Sequence, residues 1–217
     1  MRRLLAFSTA ALAATAVSIG AQVAGAAAAP SAPAHATARL VLGGVFAVGH
    51  NAVTIPGRPV EVQGTVTPYI PGQTVAVTSR IGSRALKVDR LRIKPAAGGT
   101  VGRFTETLRS PAAGIVRVTV THTRNALMLG FLARRAFAVL APSTGFGSGG
   151  LLVDLVQERL NALHIYVPQT GVFDTQTGLA LDAYHRLLRA GVSQAADPGT
   201  ISALLDGRGT FHVRYPG

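Results

Sequence analysis

The hydrophobic period of this chain changes once, and that change divides what it can fold into. Up to Leu140, apolar residues alternate with polar ones: Val60 and Val62, Val75 and Val77, Leu86 and Val88, Leu91 and Ile93, then Val116, Val118 and Val120. A period of two carried by β-branched residues marks half-buried strands. Turn formers separate the runs at Pro56-Gly57, Pro71-Gly72, Gly98-Gly99 and Pro111 to Gly114. From Leu151 the spacing becomes three and four. Leu152, Leu155, Val156, Leu160 and Leu163 share one helix face. Between the two patterns, residues 142–149 are rich in Ser, Gly and Thr and read as a flexible linker.

Seven strands are expected, near residues 39–48, 59–68, 74–81, 85–94, 103–109, 114–122 and 133–140. Their spacing predicts a β-sandwich over residues 38–141. Beyond the linker, a turn runs from Pro168 to Gly171. Asp174 or Thr175 can then cap a second helix whose buried face is Ala180, Ala183, Tyr184 and Leu187, with Gly191 as its C′ residue. Asp197 with Pro198 opens a third helix, with Ile201, Leu204 and Leu205 turned inward and Gly207 at its end. Residues 150–207 therefore read as a small three-helix domain.

The N-terminus is a different kind of segment. Arg2 and Arg3 precede the apolar run Leu4 to Ile19, and small residues follow from Ala21. This is the order of a secretory signal peptide, expected over residues 1–29, with an Ala/Pro tract over 30–37. The apolar run is short for a membrane span, which takes about 20 residues. Cleavage after Ala26 or Ala36 fits; a retained anchor is the alternative. The expected location is secreted, in the extracellular cell envelope, with no stable membrane insertion after cleavage. The chain has no cysteine, which removes disulfides, lipid-anchor thiols and thiol nucleophiles together.

Residues 37–140 carry +11 of the net charge of +12. A field of that sign draws polyanions. For an exported chain these would be anionic wall polymers rather than nucleic acid. Arg90, Arg92 and Lys94 share a strand parity and form the candidate polyanion stripe. The alternative is a solvated Arg-rich surface.

Two sets of motifs resemble known families. Gly64-Thr-Val-Thr-Pro68 with Pro71-Gly-Gln-Thr-Val75, and Gly102-Arg-Phe104 with Ala113 to Val118, resemble bacterial immunoglobulin-like domains. That resemblance implies a spacer or adhesive module. Leu155, Gln157, Leu160, Leu163, Gly171-Val-Phe173, Thr177, Ala180, Tyr184, Thr200 and Leu204 resemble the peptidoglycan-binding repeat. Where that pattern has Leu-Gly-Tyr, this chain has Leu163-His164-Ile165-Tyr166. Asp174 replaces a Gly, and His185 replaces a Gln. The resemblance implies peptidoglycan as partner. Tyr166, Phe173 and Tyr184 would form an apolar shelf, and Gln157, Asp174, Thr177, His185 and Arg186 the polar contacts. The expected fold class is thus an immunoglobulin-like β-sandwich followed by a three-helix peptidoglycan-binding-like domain.

No catalytic residue, metal or cofactor is expected. H-E-x-x-H and G-x-S-x-G are absent, and Asp182 with His185 lacks a third ligand at metal spacing. Nothing singles out a catalytic pair among Asp154, Glu158 and Asp174. In the tail, residues 208–217, Phe211, Val213 and Tyr215 alternate with His212 and Arg214 as in a strand. The whole order resembles the front half of actinobacterial L,D-transpeptidases, which implies a following catalytic domain with a Cys nucleophile and a His. Three readings therefore stand: a non-catalytic peptidoglycan binder, a truncated transpeptidase, and a β-domain adhesin or partner-binding module tethered to the wall.

Overall fold

The computed structural model describes residues 32–209. The expected signal peptide and most of the strand-like tail lie outside them. The strands are β1 (Thr37–Gly43), β2 (Phe46–Val48), β3 (Asn51–Thr54), β4 (Val60–Thr67), β5 (Thr74–Ile81), β6 (Arg84–Arg92), β7 (Lys94–Pro95), β8 (Gly102–Leu108), β9 (Gly114–His122) and β10 (Phe131–Val139). The helices are α1 (Leu151–Ala162), α2 (Thr175–Leu187) and α3 (Pro198–Leu205). The strands form a four-stranded sheet ordered β1-β4-β8-β7 and a six-stranded sheet ordered β2-β3-β10-β9-β5-β6. All pairings are antiparallel except β10 with β3.

Period-two alternation directs the packing. Val60, Val62, Val66, Phe104 and Leu108 point from the smaller sheet toward Val75, Val77, Val116, Val118, Val120 and Phe137 of the larger. Each fully buried aliphatic side chain contributes roughly 1.5–3 kcal/mol. Gly64 stands opposite Phe104 in the register. A Cβ on Gly64 would lie 1.9 Å from Phe104 Cζ, so the aromatic ring occupies the place of the missing side chain.

The expected fold class is corrected here. The described chain is mostly β, with ten strands in two sheets and only three short helices. It is not a seven-stranded immunoglobulin-like sandwich followed by a separate three-helix domain. One apolar cluster runs from the strand ends Val48, Val53, Ile55, Ala138 and Leu140 into Leu152, Val156, Leu160, Tyr184, Ile201 and Leu204 of the helices. From Ala32 onward the chain is one compact unit. The reason is size: three short helices enclose too little apolar surface to stand alone, and they complete their core on the strand ends.

The strand count differs for local reasons. The run expected near 39–48 breaks at Gly44, which takes φ +75° with its Cα hydrogen close to the Pro59 carbonyl; a Cβ there would be 2.7 Å from that oxygen. The run expected at 85–94 breaks at buried Ile93, and the chain crosses from one sheet to the other. Residues 142–149 are tied down by hydrogen bonds. Thr144 exchanges backbone bonds with Ala196, and Gly147 N donates to Phe173 O.

Candidate functional site

The helical layer is organised by a buried amide. Gln157, on the inner face of α1, is fully buried. Its Oε1 accepts from Gly171 N at 3.0 Å. Its Nε2 lies 3.1 Å from Val172 O and 3.0 Å from Thr177 Oγ1. Thr177 in turn donates from its backbone N–H and its hydroxyl to Asp174 Oδ1, at 2.8 and 2.9 Å. Asp174 is the N-cap of α2, and those two donors hold its carboxyl below the usual range, the backbone bond foremost.

The resemblance-based contacts divide by exposure. Gln157, Phe173, Thr177, Tyr184 and His185 are buried. Tyr184 donates its hydroxyl to Arg208 O at 3.1 Å, and burial pushes its phenol up. His185 uses both ring nitrogens: Nδ1 is 2.7 Å from the Ser193 carbonyl and Nε2 is 2.8 Å from Thr200 Oγ1. The carbonyl can only accept, so Nδ1 donates to it, and the second ring nitrogen is paired with the Thr200 hydroxyl. Asp174 is partly exposed, and Arg186 is exposed with its guanidinium on Asp182 Oδ2. Tyr166 is 85% exposed. Of the expected shelf, only Tyr166 can meet a ligand directly. Two details of α2 also differ from expectation. Leu181 rather than Ala183 faces the core, and Arg189, at φ +57°, is the residue that follows the C-cap Leu188, with Gly191 at φ +74° two residues further on.

A groove of about 430 Å³ opens where the end of α2 meets the start of α3. Leu188, Ala190 and Ala203 supply apolar lining; Ser193, Asp197 and Arg208 supply polar groups. His185 and Thr200 form a wall whose polar atoms are already paired. Asp197 caps α3 by accepting from Thr200 N at 2.6 Å, which holds its carboxyl ionised below the usual range. Asp197 was legible in the sequence as a cap. Arg208, Leu188 and Ser193 carried no local signal, because only the packing of α2 on α3 gathers them.

The charge stripe is also divided. Arg90 and Arg92 are exposed on β6, the edge of the six-stranded sheet, whereas Lys94 lies on β7 in the other sheet. Charged residues on such an edge also oppose strand addition. Lys87, of the opposite parity, pairs with buried Glu106 and with Asp89, which together raise its pKa.

Among the described residues no group of three His, Cys, Asp or Glu can hold a metal ion, and no helix is long and apolar enough to cross a membrane. The chain has no cysteine and therefore no thiol nucleophile. No protein-family model matches the chain, and no curated protein matches it. Among solved structures, it is similar to a family 76 glycoside hydrolase from a bovine Bacteroides thetaiotaomicron strain. That match has 14% identity and TM-score 0.31, over 52% of this chain and 23% of that one. It is also similar to a family 123 glycoside hydrolase from Clostridium perfringens, at 9% identity and TM-score 0.28, over 63% of this chain and 30% of that one. The chain thus spans under a third of either protein's length.

Proposed function

We propose that this is an exported, wall-associated protein that binds peptidoglycan without catalysis, through the groove between α2 and α3. The observation that carries the reading is the groove's mixed chemistry. Asp197 and Arg208 offer opposite charges beside an apolar lining of Leu188, Ala190 and Ala203. A wall stem peptide presents matching groups: alanine methyls, amides, free carboxylates and, on some residues, an ammonium. Charge-assisted bonds to both rim residues would orient such a peptide. Tyr166 adds an exposed aromatic face of the kind on which a sugar ring can rest.

Backbone conformation supports the resemblance to the peptidoglycan-binding repeat. His164 takes φ +62°, the left-handed region, at the place where that pattern has glycine. Gln157 ties Gly171, Val172 and Thr177 into one connected turn, and Phe173, next in the chain, is buried beneath it with its backbone bonded to Gly147 and Ser148.

Titrating a soluble disaccharide-peptide fragment of peptidoglycan into the full chain, followed calorimetrically, tests the reading. Arg208→Glu should weaken binding about tenfold, close to 1.4 kcal/mol, with an unchanged melting temperature. A fragment that does not bind, or a variant that binds as the parent does, overturns it.

A further inference from the structure

The register of the six-stranded sheet gathers residues that are far apart in sequence. On its outer face Arg80 stands beside Arg117, Arg134 beside Thr119 and Thr78, and Arg90 beside Ala76 and Thr121, with Arg92 next to Thr74. The five arginines are exposed, and none forms an ion pair among the described residues. The sheet's one acid, Asp89, has the opposite parity and pairs with Lys87. Neighbouring strands lie about 4.8 Å apart and alternate residues about 6.8 Å apart. This spacing makes the face a grid of guanidiniums and threonine hydroxyls; Phe131 and Phe137 of β10 have the opposite parity to Arg134 and pack against the core, so they are not on this face to stack a nucleobase.

At one corner of this face is a cleft of about 280 Å³. Arg90, Arg124, Thr121, Thr123, Gln73 and His122 line it. The volume is that of about nine waters, enough for one sugar or polyol unit. His122 is 6% exposed, with its ring stacked on Phe131 at 5.4 Å. Its Nδ1 lies 2.8 Å from the Thr74 carbonyl and so carries the proton. Its Nε2 is buried and finds no partner among the described residues. A buried ring nitrogen left in this way is unfavourable, and a ligand hydroxyl would satisfy it.

We infer that the outer face of the six-stranded sheet binds a linear polyanion whose repeating unit also carries hydroxyls, with one unit entering the cleft at His122. The arginines meet the anionic groups, and His122 Nε2 accepts from a hydroxyl. A polyol phosphate and a polyuronate share this chemistry. The site is separate from the groove between α2 and α3 and does not depend on it.

The test measures affinity of the full chain, at low salt, for poly(glycerol phosphate) and for polygalacturonate in separate arms. Inorganic polyphosphate serves as the anion without hydroxyls, and a thymidine 30-mer and phosphatidylglycerol vesicles as the other polyanions. The tighter of the first two arms identifies the source. Arg80→Gln/Arg117→Gln/Arg134→Gln should weaken that binding about tenfold or more. Arg39→Gln/Arg103→Gln/Arg109→Gln removes equal charge away from this face and should change it less than threefold. His122→Phe keeps the stacking and should abolish the preference over polyphosphate. Equal loss in both triple variants, tighter binding to the oligonucleotide or vesicles, or an unchanged preference in His122→Phe overturns the inference.

Discussion

Gln157 and Thr177 meet between α1 and α2, with Nε2 of one 3.0 Å from Oγ1 of the other and neither side chain exposed. The pair couples the inner face of α1 to the capped start of α2, while Oε1 of the same amide fixes the turn at Gly171. Gln157→Leu would strand the Gly171 N–H in an apolar setting. The expected cost is about 2–4 kcal/mol, seen as a fall in melting temperature of roughly 5–15 °C by circular dichroism. A fall under about 2 °C would show that the turn does not depend on the amide.

Asp174 and Asp197 give the helices a pH signature. Each accepts hydrogen bonds at a helix start, and each folded-state pKa is lowered. The stabilisation is therefore complete above the unfolded value, near 4, and is lost as pH falls through the lower folded values. Melting temperature should decline from pH 5 toward pH 2. The Asp174→Asn/Asp197→Asn variant keeps capping oxygens that do not titrate, and should show a shallower decline. Parallel profiles would contradict this assignment.

Phe46 lies between two guanidiniums, Arg58 at 5.2 Å and Arg159 at 4.7 Å from its ring centre. Arg58 continues to Asp206 at 2.7 Å, which lowers that carboxyl's pKa. With the shared apolar cluster, these contacts make the strands and helices unfold together. Calorimetry of the full chain should give one transition, with calorimetric and van 't Hoff enthalpies equal. Phe46→Ala should lower its midpoint at a cost of about 1–3 kcal/mol, while Arg58→Gln costs less than about 1. Two resolved transitions would contradict a single unit.

Gly64→Ala tests the opposite half. The added methyl must displace the Phe104 ring, and overpacking of this kind costs about 1–3 kcal/mol in urea unfolding. Phe104→Leu in the same chain should recover part of the loss, a coupling that a double-mutant cycle measures.

Local rules made much of this structure legible. Asp174 and Asp197 were readable as caps because capping needs only the residue and the three that follow it. Val75, Val77, Val116 and Val118 were readable as inward residues because a strand carries its own parity. What failed was nonlocal. Val48, Ile55 and Leu140 look like ordinary strand residues, and nothing near them says that helices will cover them. Lys94 extends the parity of Arg90 and Arg92 in the sequence, and alternation alone cannot show that the chain changes sheets at Ile93. Gln157, Thr177 and His185 read as ligand contacts in the sequence because a polar residue in a motif looks the same whether it faces solvent or a buried partner. The arginine face of the larger sheet required the register of four strands.

Co-sedimentation of the full chain with purified peptidoglycan sacculi, stripped of attached polymers, tests peptidoglycan binding most directly. The account predicts that the parent chain pellets with the sacculi and that Arg208→Glu shifts largely to the supernatant while melting as the parent does. A parent chain that stays in the supernatant, or a variant that pellets equally, would contradict it.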